Sequence, residues 1–290
     1  MDHRAIPPIT TPDILISEEA MPLRDILVHL DTGPRTAERL ALGVHLAQQD
    51  NARLVGIFAK CAQAHQVGVV AVWPPESYTE AANASREQFE AAVKGLANAQ
   101  WIDVNRGSDH EIVHHLTEAA RHFDLTILGQ EEEGTPRIVP RELIEQLILE
   151  SGRPILVVPY AGHFSDTGSR PLIAWAEAAA AARALNDGLA LIKPDAKVTL
   201  VSMAARAERQ NLAAERAAEH LKAHHLDVQV EHMQVTEIGL MDTLLNLAAD
   251  KAADLIIMGA FGGYGFPILS RGSGTRYMLR HMTAPCLFSH

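Results

Sequence analysis

Two short segments of the sequence share one pattern: Asp124-Leu-Thr-Ile-Leu-Gly-Gln130 and Asp254-Leu-Ile-Ile-Met-Gly-Ala260. In each, a short apolar run follows an acid and ends at a glycine, which is typical of a buried strand in a parallel sheet. Two further pairs of segments resemble each other in the same chain order, 24–31 with 170–177 and 153–159 with 284–290. Because order and spacing both repeat, we predict that the 290-residue chain is a duplication of one structural unit.

Strand-like and helix-like segments alternate along both halves. Helical apolar patterns predict helices at 36–49, 81–98, 111–122, 141–149, 179–192, 206–224, 239–251 and 275–280. Short apolar runs predict strands at 26–30, 53–59, 102–105, 125–128, 155–158, 172–175, 198–203, 228–233, 255–258 and 286–288. This alternation predicts an α/β fold of two tandem doubly wound domains, flavodoxin-like or Rossmann-like, each with a five-stranded, mainly parallel sheet.

The predicted domain boundaries follow from these segments. Residues 1–20 form an N-terminal extension, 21–160 the first domain, 161–170 a linker rich in turn-forming residues, and 171–290 the second domain. In such a sheet, ligands bind at the carboxyl ends of the strands, where the strand order reverses. Candidate site residues should therefore follow the first and fourth strands of each half.

The composition favours a cytosolic globular protein and disfavours two classes of partner. Lys and Arg number 25 against 36 Asp and Glu, which gives a formal net charge of −11. Nucleic-acid phosphates and anionic membranes both attract basic surfaces, so neither partner is expected. Cys61 and Cys286 are too few for a disulfide framework, and the N-terminus lacks the apolar run of a secretory signal. We therefore expect a cytoplasmic location.

A glycine-rich segment follows the fourth strand of the second half: Met258-Gly259-Ala-Phe-Gly262-Gly-Tyr-Gly-Phe-Pro-Ile-Leu-Ser-Arg-Gly272-Ser273-Gly274-Thr275. Glycines permit sharp turns and let backbone N–H groups approach a ligand. The final Gly-Ser-Gly-Thr stretch opens the next predicted helix, whose free N–H groups and dipole favour an anion. On these physical grounds alone, a phosphate cradle and a flexible surface loop are equally favoured.

The spacing Gly259–x2–Gly262–x9–Gly272–Ser273 resembles in full the G-x2-G-x9-G-[S/T] signature of ATP-binding universal stress proteins. Together with the duplication, the resemblance covers nearly the whole chain from Met21 onward. It implies a tandem universal stress protein with an adenine nucleotide alpha hydrolase-like fold. No Walker A sequence is present.

The resemblance also implies where a nucleotide would lie. The phosphates would rest on residues 272–275, with Gly259 and Gly262 close by, and the adenine would pack near the ends of the first and second strands. Glu177 stands where the family usually has an aspartate that contacts the ribose or a metal ion. The implied ligand is ATP, or ADP or AMP, with Mg²⁺ or Mn²⁺. The implied binding residues are Trp175, Ala176, Glu177, Met203, Met258, Gly259, Gly262, Gly272, Ser273, Gly274 and Thr275.

The first half departs from this signature. Glu132 stands at the position of the second glycine, and Arg141 and Glu142 replace the Gly-Ser pair, although Asp31 is kept after the first strand. Acids in place of a phosphate cradle repel ATP. We therefore predict a degenerate first domain that pairs with the second as an intramolecular pseudo-dimer. Further pairing of whole chains into a homodimer stays open.

Two functional classes follow from these observations. The first is an ATP-binding protein of stress response or signalling that acts through its second domain, with at most slow hydrolysis because no general base or arginine finger can be assigned. The second is a non-catalytic, pseudo-symmetric interaction scaffold with a vestigial loop. An enzyme is less favoured, since no catalytic residue is assigned and Glu177 is the only titratable candidate.

Two weaker signals stay open. His110, His114 and His115 fall near one another on a predicted helix, and Cys61 precedes His65 by four positions. Such spacing suits zinc, but without further ligands surface histidines are favoured over a metal site. The apolar, proline-bearing segment 66–78 is either a lid, an interface or a packed loop.

Overall fold

The computed structural model describes residues 22–67, 70–204, 207–234, 239–262 and 272–290. The predicted N-terminal extension, 1–20, and the middle of the glycine-rich segment, 263–271, lie outside these residues. The described helices include none with the length and apolar character needed to cross a membrane.

Strands and helices alternate through both halves. In the first half they are β1 (Asp25–Leu30), α1 (Thr36–Asp50), β2 (Arg53–Phe58), β3 (His65–Val67), β4 (Val70–Val72), α2 (Glu76–Ala92), β5 (Ala99–Asp103), α3 (Asp109–Ala120), β6 (Leu125–Gly129), α4 (Leu143–Glu150) and β7 (Ile155–Val158). In the second half they are β8 (Pro171–Trp175), α5 (Ala179–Gly188), a 3-10 turn (Leu189–Leu191), β9 (Lys197–Ala204), α6 (Ala207–Ala223), β10 (Asp227–Gln234), α7 (Leu240–Asp250), β11 (Leu255–Gly259), α8 (Ser273–His281) and β12 (Cys286–Ser289).

One sheet of ten strands runs through the molecule in the order β10-β9-β8-β11-β12-β7-β6-β1-β2-β5. Neighbouring strands are parallel except β12 and β7, which are antiparallel. The two predicted five-stranded sheets are therefore the two parts of a single sheet. Within each half the strand order reverses between the first and fourth strands, at β1 and β6 and again at β8 and β11. The predicted α/β, doubly wound fold is confirmed.

The central strands are buried on both faces. The strands β1, β6, β8 and β11 are covered along almost their whole length, as the apolar runs of a parallel sheet require. Two core layers result, one on each face, and each contains residues of both halves. Burying a large apolar side chain stabilises the fold by about 1.5–3 kcal/mol. The two layers therefore hold the halves together as well as stabilising each half.

An approximate two-fold axis relates the halves where β7 meets β12. Leu156 lies opposite Leu287 in this antiparallel pair. Both leucines stand two positions after a proline, Pro154 and Pro285, so they are equivalent positions of the predicted duplication. The axis therefore passes between two equivalent residue positions.

The helices that precede these strands, α4 and α8, face each other across the axis. Nε of Arg276 donates to the two carboxylate oxygens of Glu145 at 3.1 and 3.0 Å. Gln130 adds a second link, because its Nε2 donates to the carbonyl oxygens of Leu279 and Arg280 at 3.0 Å each. Those carbonyls belong to the last turn of α8, where a helix has no N–H of its own to offer.

The predicted bounds are wrong for two elements that follow segment 66–78, an insertion in the first half. Helix α2 covers Glu76–Ala92 instead of 81–98, and β5 covers Ala99–Asp103 instead of 102–105. The helix begins directly after Pro75, and the turn that follows it contains Gly95 at a φ of +102°. In the described part of segment 66–78, β3 and β4 form a small antiparallel hairpin and α2 begins at Glu76, so this part is not a packed loop. Its role as a lid or an interface stays a prediction.

Reversing one charge of the Glu145–Arg276 pair should weaken the junction between the halves. Arg276→Glu places two carboxylates side by side, which repel each other. Both wild-type side chains are partly exposed, at 50% for Arg276 and 29% for Glu145. Because solvent screens the charges, the melting temperature should fall by only a few degrees. The double variant Glu145→Arg/Arg276→Glu restores opposite charges and should recover most of that loss. Calorimetric melting measures both.

A matched control is Arg86→Glu, which reverses a charge in the exposed Arg86–Glu90 pair on α2, far from the junction. Combining Arg86→Glu with Glu145→Arg should bring no recovery. Equal melting temperatures for the single and double junction variants would contradict the expected coupling.

Candidate functional site

The carboxyl ends of β8 and β11 lie side by side in the second half. Met258 of β11 pairs with Ala174 of β8, and Trp175 pairs with Ser202 of β9 on the other side. The predicted residues after the first and fourth strands are therefore brought to one edge of the sheet, at the reversal of strand order.

Helix α8 begins beside the end of β11. It starts directly after Gly272, whose φ of +82° lies in the left-handed region. A Cβ at this position would lie 2.6 Å from Cδ1 of Phe261, so glycine is required for both reasons. The first intrahelical N–H donor is that of Arg276, which bonds the carbonyl of Gly272 at 3.0 Å. The N–H groups of the preceding first turn have no intrahelical acceptor.

Two buried polar atoms at this edge have no hydrogen-bond partner among the described residues: Nε1 of Trp175 and Oγ of Ser273. A buried donor left without an acceptor costs about 1–3 kcal/mol, so such atoms are uncommon in folded proteins. Trp175 ends β8 and Ser273 begins α8. Both belong to the predicted nucleotide-binding set, and their role in binding stays a prediction.

Thr275 has a structural contact in addition to its predicted role. Its Oγ1 accepts the backbone N–H of Phe261 at 2.9 Å, in a buried bond that ties the start of α8 to the end of β11. Phe261 holds a φ of +51°, which is uncommon for a bulky residue. A hydroxyl that accepts one bond can also donate one, and the contact of Thr275 with a phosphate stays a prediction.

The predicted glycines differ in what surrounds them. A Cβ at Gly259 would lie 2.4 Å from the backbone nitrogen of Ala181, so this glycine lets α5 approach β11 closely. A Cβ at Gly262 would meet no described residue within 4 Å, and one at Gly274 would make an ordinary contact of 3.5 Å with Sδ of Met241. Packing therefore explains why position 259 is a glycine. Contacts with the described residues do not require a glycine at position 262 or 274.

The remaining predicted residues follow the first two strands. Ala176 is half-buried, and Glu177 is exposed and makes no ion pair or hydrogen bond with any described residue. Met203 lies in β9 opposite Met233 of β10. The side chain of Met203 falls outside the described residues, so its predicted contact with adenine is not tested.

The point between β1 and β6 where the strand order of the first half reverses, its switch point, has a different chemistry from that of the second half. The sequence did not reveal this difference. Arg39 is buried against the end of β6, and its Nη1 would lie 2.3 Å from a Cβ at Gly129. Its Nη2 donates to Oδ2 of Asp31 at 2.8 Å, and its Nε donates to the carbonyl of His29 at 3.3 Å. The signal that could have found this group is the presence of His29 and Arg39 inside otherwise apolar patterns of β1 and α1.

Burial and charge shift the pKa values of this group. Burial lowers the pKa of His29 to about 4, against the nearby Asp31 carboxylate, which raises it. Burial alone would raise the pKa of Asp31, but the Arg39 guanidinium, His29 and the hydrogen bonds from Thr36 and Gly33 together outweigh burial and bring that pKa to about 2. Near pH 7 the group is therefore a neutral histidine beside an ionised Asp31–Arg39 pair.

The described residues contain no cluster of three or more His, Cys, Asp or Glu side chains arranged to hold a metal ion. His110, His114 and His115 lie on α3, where His114 pairs with Glu118 at 3.3 Å. Cys61 donates to Oδ1 of Asp109 at 3.4 Å, and burial raises the pKa of its thiol to about 11.

Comparison with known proteins bears on the second half and on the whole fold. Residues 163–290 match the family model of the universal stress protein family. A universal stress protein from Archaeoglobus fulgidus has a TM-score of 0.63 and 16% identity, covering 91% of this chain and 97% of that chain. A functionally unknown protein from Pseudomonas aeruginosa has a TM-score of 0.56 and 15% identity, covering 92% of each chain. Comparison with curated proteins finds no match.

The fold and its two switch points define a doubly wound α/β protein built from two similar halves. The match of residues 163–290 to the universal stress protein family model concerns the second half of the chain. The solved structures extend the likeness to nearly the whole chain, and at 15–16% identity that likeness concerns the fold alone.

His29 should make the stability of the protein depend on pH. Between its unfolded pKa of 6.5 and its folded pKa of about 4, the unfolded chain binds a proton at this residue and the folded chain does not. The free energy of unfolding should therefore fall as the pH drops from 6.5 to 4, by at most about 3 kcal/mol. Urea unfolding at several pH values measures the slope.

The variant His29→Gln cannot titrate and should flatten this slope, even if it lowers stability at every pH. The control His114→Gln removes an exposed histidine of α3 and should leave the slope as it is. A slope of His29→Gln equal to that of the unaltered protein would contradict the assignment.

Proposed function

We propose that the second half binds an adenine nucleotide, ATP with ADP and AMP as alternatives, and that this binding serves stress response or signalling. The observation that carries the proposal is the hydroxyl of Ser273, which is buried at the start of α8 without a partner among the residues described. A phosphate oxygen at this position would accept from the hydroxyl and from the free first-turn N–H groups. The helix dipole favours the same negative charge.

Trp175 supports the same proposal from the other side of the edge. Its indole N–H is buried and lacks an acceptor within the described part of the chain. A buried tryptophan N–H usually finds one. An oxygen or ring nitrogen of a nucleoside bound at the end of β8 would supply it, and the indole face would cover the base.

The signature spacing and the family match add support of a different kind. The four signature positions, Gly259, Gly262, Gly272 and Ser273, lie within the segment that matches the universal stress protein family. Their counterparts in the first half include exposed acids, and the acidic run there pairs with arginines, Glu131 with Arg141 and Glu133 with Arg280. We therefore propose one nucleotide site per chain.

The proposed activity is binding with at most slow hydrolysis. Glu177 is the candidate ligand for Mg²⁺ or Mn²⁺, since both ions take carboxylate oxygen. Fast phosphoryl transfer also needs a general base or an arginine at the transferred group, and no described residue at this edge is assigned to either role. The proposed setting is the cytoplasm, without nucleic-acid or membrane partners, because the chain carries a net charge of −11.

A scaffold without nucleotide is the second candidate, and one observation favours it. The helix that would hold the phosphates is also docked on the first half, through Arg276 with Glu145 and through the Gln130 amide at its last turn. A rigid pseudo-dimer is what an interaction scaffold requires. Nucleotide binding and scaffolding are separated by a direct binding measurement.

Gly262→Glu is the sharpest test of the nucleotide proposal. A Cβ at Gly262 meets no atom of the described residues within 4 Å, and the new carboxylate copies Glu132 of the first half. We expect unchanged thermal stability and an ATP affinity at least about tenfold weaker, because two like charges would meet at a partly desolvated site. Calorimetric titration with ATP and Mg²⁺ measures affinity and stoichiometry.

Gly262→Gln has nearly the same size without the charge and should lose much less affinity. ATP binding by the unaltered protein with equal losses in both variants would point to sterics instead of phosphate repulsion. No ATP, ADP or AMP binding by the unaltered protein, whether as purified or after removal of bound ligand, would favour the scaffold.

A further inference from the structure

A cavity of about 360 Å³ lies at the switch point of the first half. It is bounded by the ends of β1 and β6, by the start of α1, and by the segment between β6 and α4. Its volume is at the low end of the range for ligand pockets, about 300–1,000 Å³. It is therefore the size of a small molecule and sits where sheets of this kind bind ligands.

Apolar side chains make up much of the wall. Leu128 and Leu143 are almost fully buried beneath it, and Ile138, Val139 and Ile144 complete the wall from the segment that replaces the glycine-rich loop. This segment is held in place, because the carbonyl of Ile138 accepts the N–H of Cys61 at 2.7 Å. The wall is thus a packed surface that can exclude water from an apolar ligand.

Two hydrogen-bond acceptors face each other among the lining residues. Nδ1 of His29 lies 3.8 Å from Oδ2 of Asp31, which is beyond hydrogen-bonding reach. Nε2 of His29 lies 3.1 Å from the carbonyl of Ala59, and a carbonyl only accepts, so Nε2 carries the proton. Because the histidine is neutral near pH 7, Nδ1 presents a lone pair. A donor group placed between the two acceptors would satisfy both.

The charges around the cavity are largely balanced. The Asp31 carboxylate is neutralised by Arg39 at 2.8 Å, and Arg137 is paired with Asp109 outside the cavity. Nε of Arg35, a residue that also lines the cavity, is buried and without a partner among residues the structure describes. An anionic head placed between His29 and Asp31 would face a lone pair and a carboxylate and could donate to neither, and a cationic head would lie beside the Arg39 guanidinium. A charged head group is therefore costly at this partly desolvated position.

We propose that this cavity binds a small uncharged molecule with an apolar body, whose N–H or O–H donor head lies between His29 and Asp31. The ligand class is that of primary amides and hydroxylated aromatics, not of nucleotides. The site is independent of the nucleotide site proposed for the second half, and either can exist without the other.

Three probes of one shape test the proposal on the full chain. Benzamide is uncharged and has a donor head, methyl benzoate is uncharged without a donor, and benzoate carries a charge. For so small a ligand we expect a Kd of about 1 mM for benzamide, and at least about tenfold weaker binding of the other two. Methyl resonances of Ile138 and Ile144 should shift and saturate with benzamide, while those of Ile192 and Ile257 in the second half should not.

Ile138→Trp fills the cavity and should abolish the shifts at Ile144. If that variant fails to fold, Ile144→Trp, a substitution at a partly exposed position, serves instead with Ile138 as the reporter. The matched control Leu212→Trp adds the same side chain at an exposed position of α6, where Leu212 is 54% exposed, and should bind benzamide as before.

Three results would overturn the proposal. Shifts that are absent or do not saturate would mean that the cavity holds only water. Equal binding of benzamide and methyl benzoate would show that the site does not recognise a donor head. Shifts that persist in the cavity-filling variant would locate the ligand elsewhere.

Discussion

The antiparallel pairing of β7 with β12 is the constraint on which the rest of the molecule depends. Each half, taken alone, would end in an unpaired strand edge with apolar side chains on both of its faces, which invites association. Joining the two edges inside one chain buries them and extends both core layers across the junction. It also fixes α4 and α8 against each other, so the helix proposed to hold phosphates takes part of its support from the other half.

The same architecture carries two different solutions at its two switch points. In the first half, an arginine side chain fills the space beside the end of β6, and an ion pair and a neutral histidine line the remaining cavity. In the second half, backbone from α5 approaches Gly259, and the neighbouring polar atoms of Trp175 and Ser273 are left without partners among the described residues. Each half thus has a glycine at the end of its fourth strand, Gly129 or Gly259, but the group that packs against it differs. It is an arginine side chain in the first half and helix backbone in the second.

Most of the fold was predictable from the sequence, because buried parallel strands appear as short apolar runs and their order repeats. The elements that were misplaced, α2 and β5, lie next to an insertion with no counterpart in the second half, where neither repetition nor periodicity gives guidance. The candidate site of the second half was predicted from the spacing of its glycines and stays a prediction. The Asp31–Arg39–His29 group was missed because burying a charged residue depends on a partner that is distant in sequence, and spacing along one helix or strand does not reveal that partner.

Glu145 and Arg276 each stand nine positions before the equivalent prolines, Pro154 and Pro285, so they occupy equivalent positions of the two halves. This equivalence has a consequence for how such a pair can arise. In a symmetric homodimer every residue near the axis meets its own copy, so an acid would face an acid and a base a base. A covalently duplicated chain escapes this rule, since its two copies of one position are encoded separately. Opposite charges can then meet on the axis. They favour pairing of the two different halves over pairing of two identical halves. Two halves within one chain can thus replace a symmetric contact by an asymmetric one, in which each half is complementary only to the other.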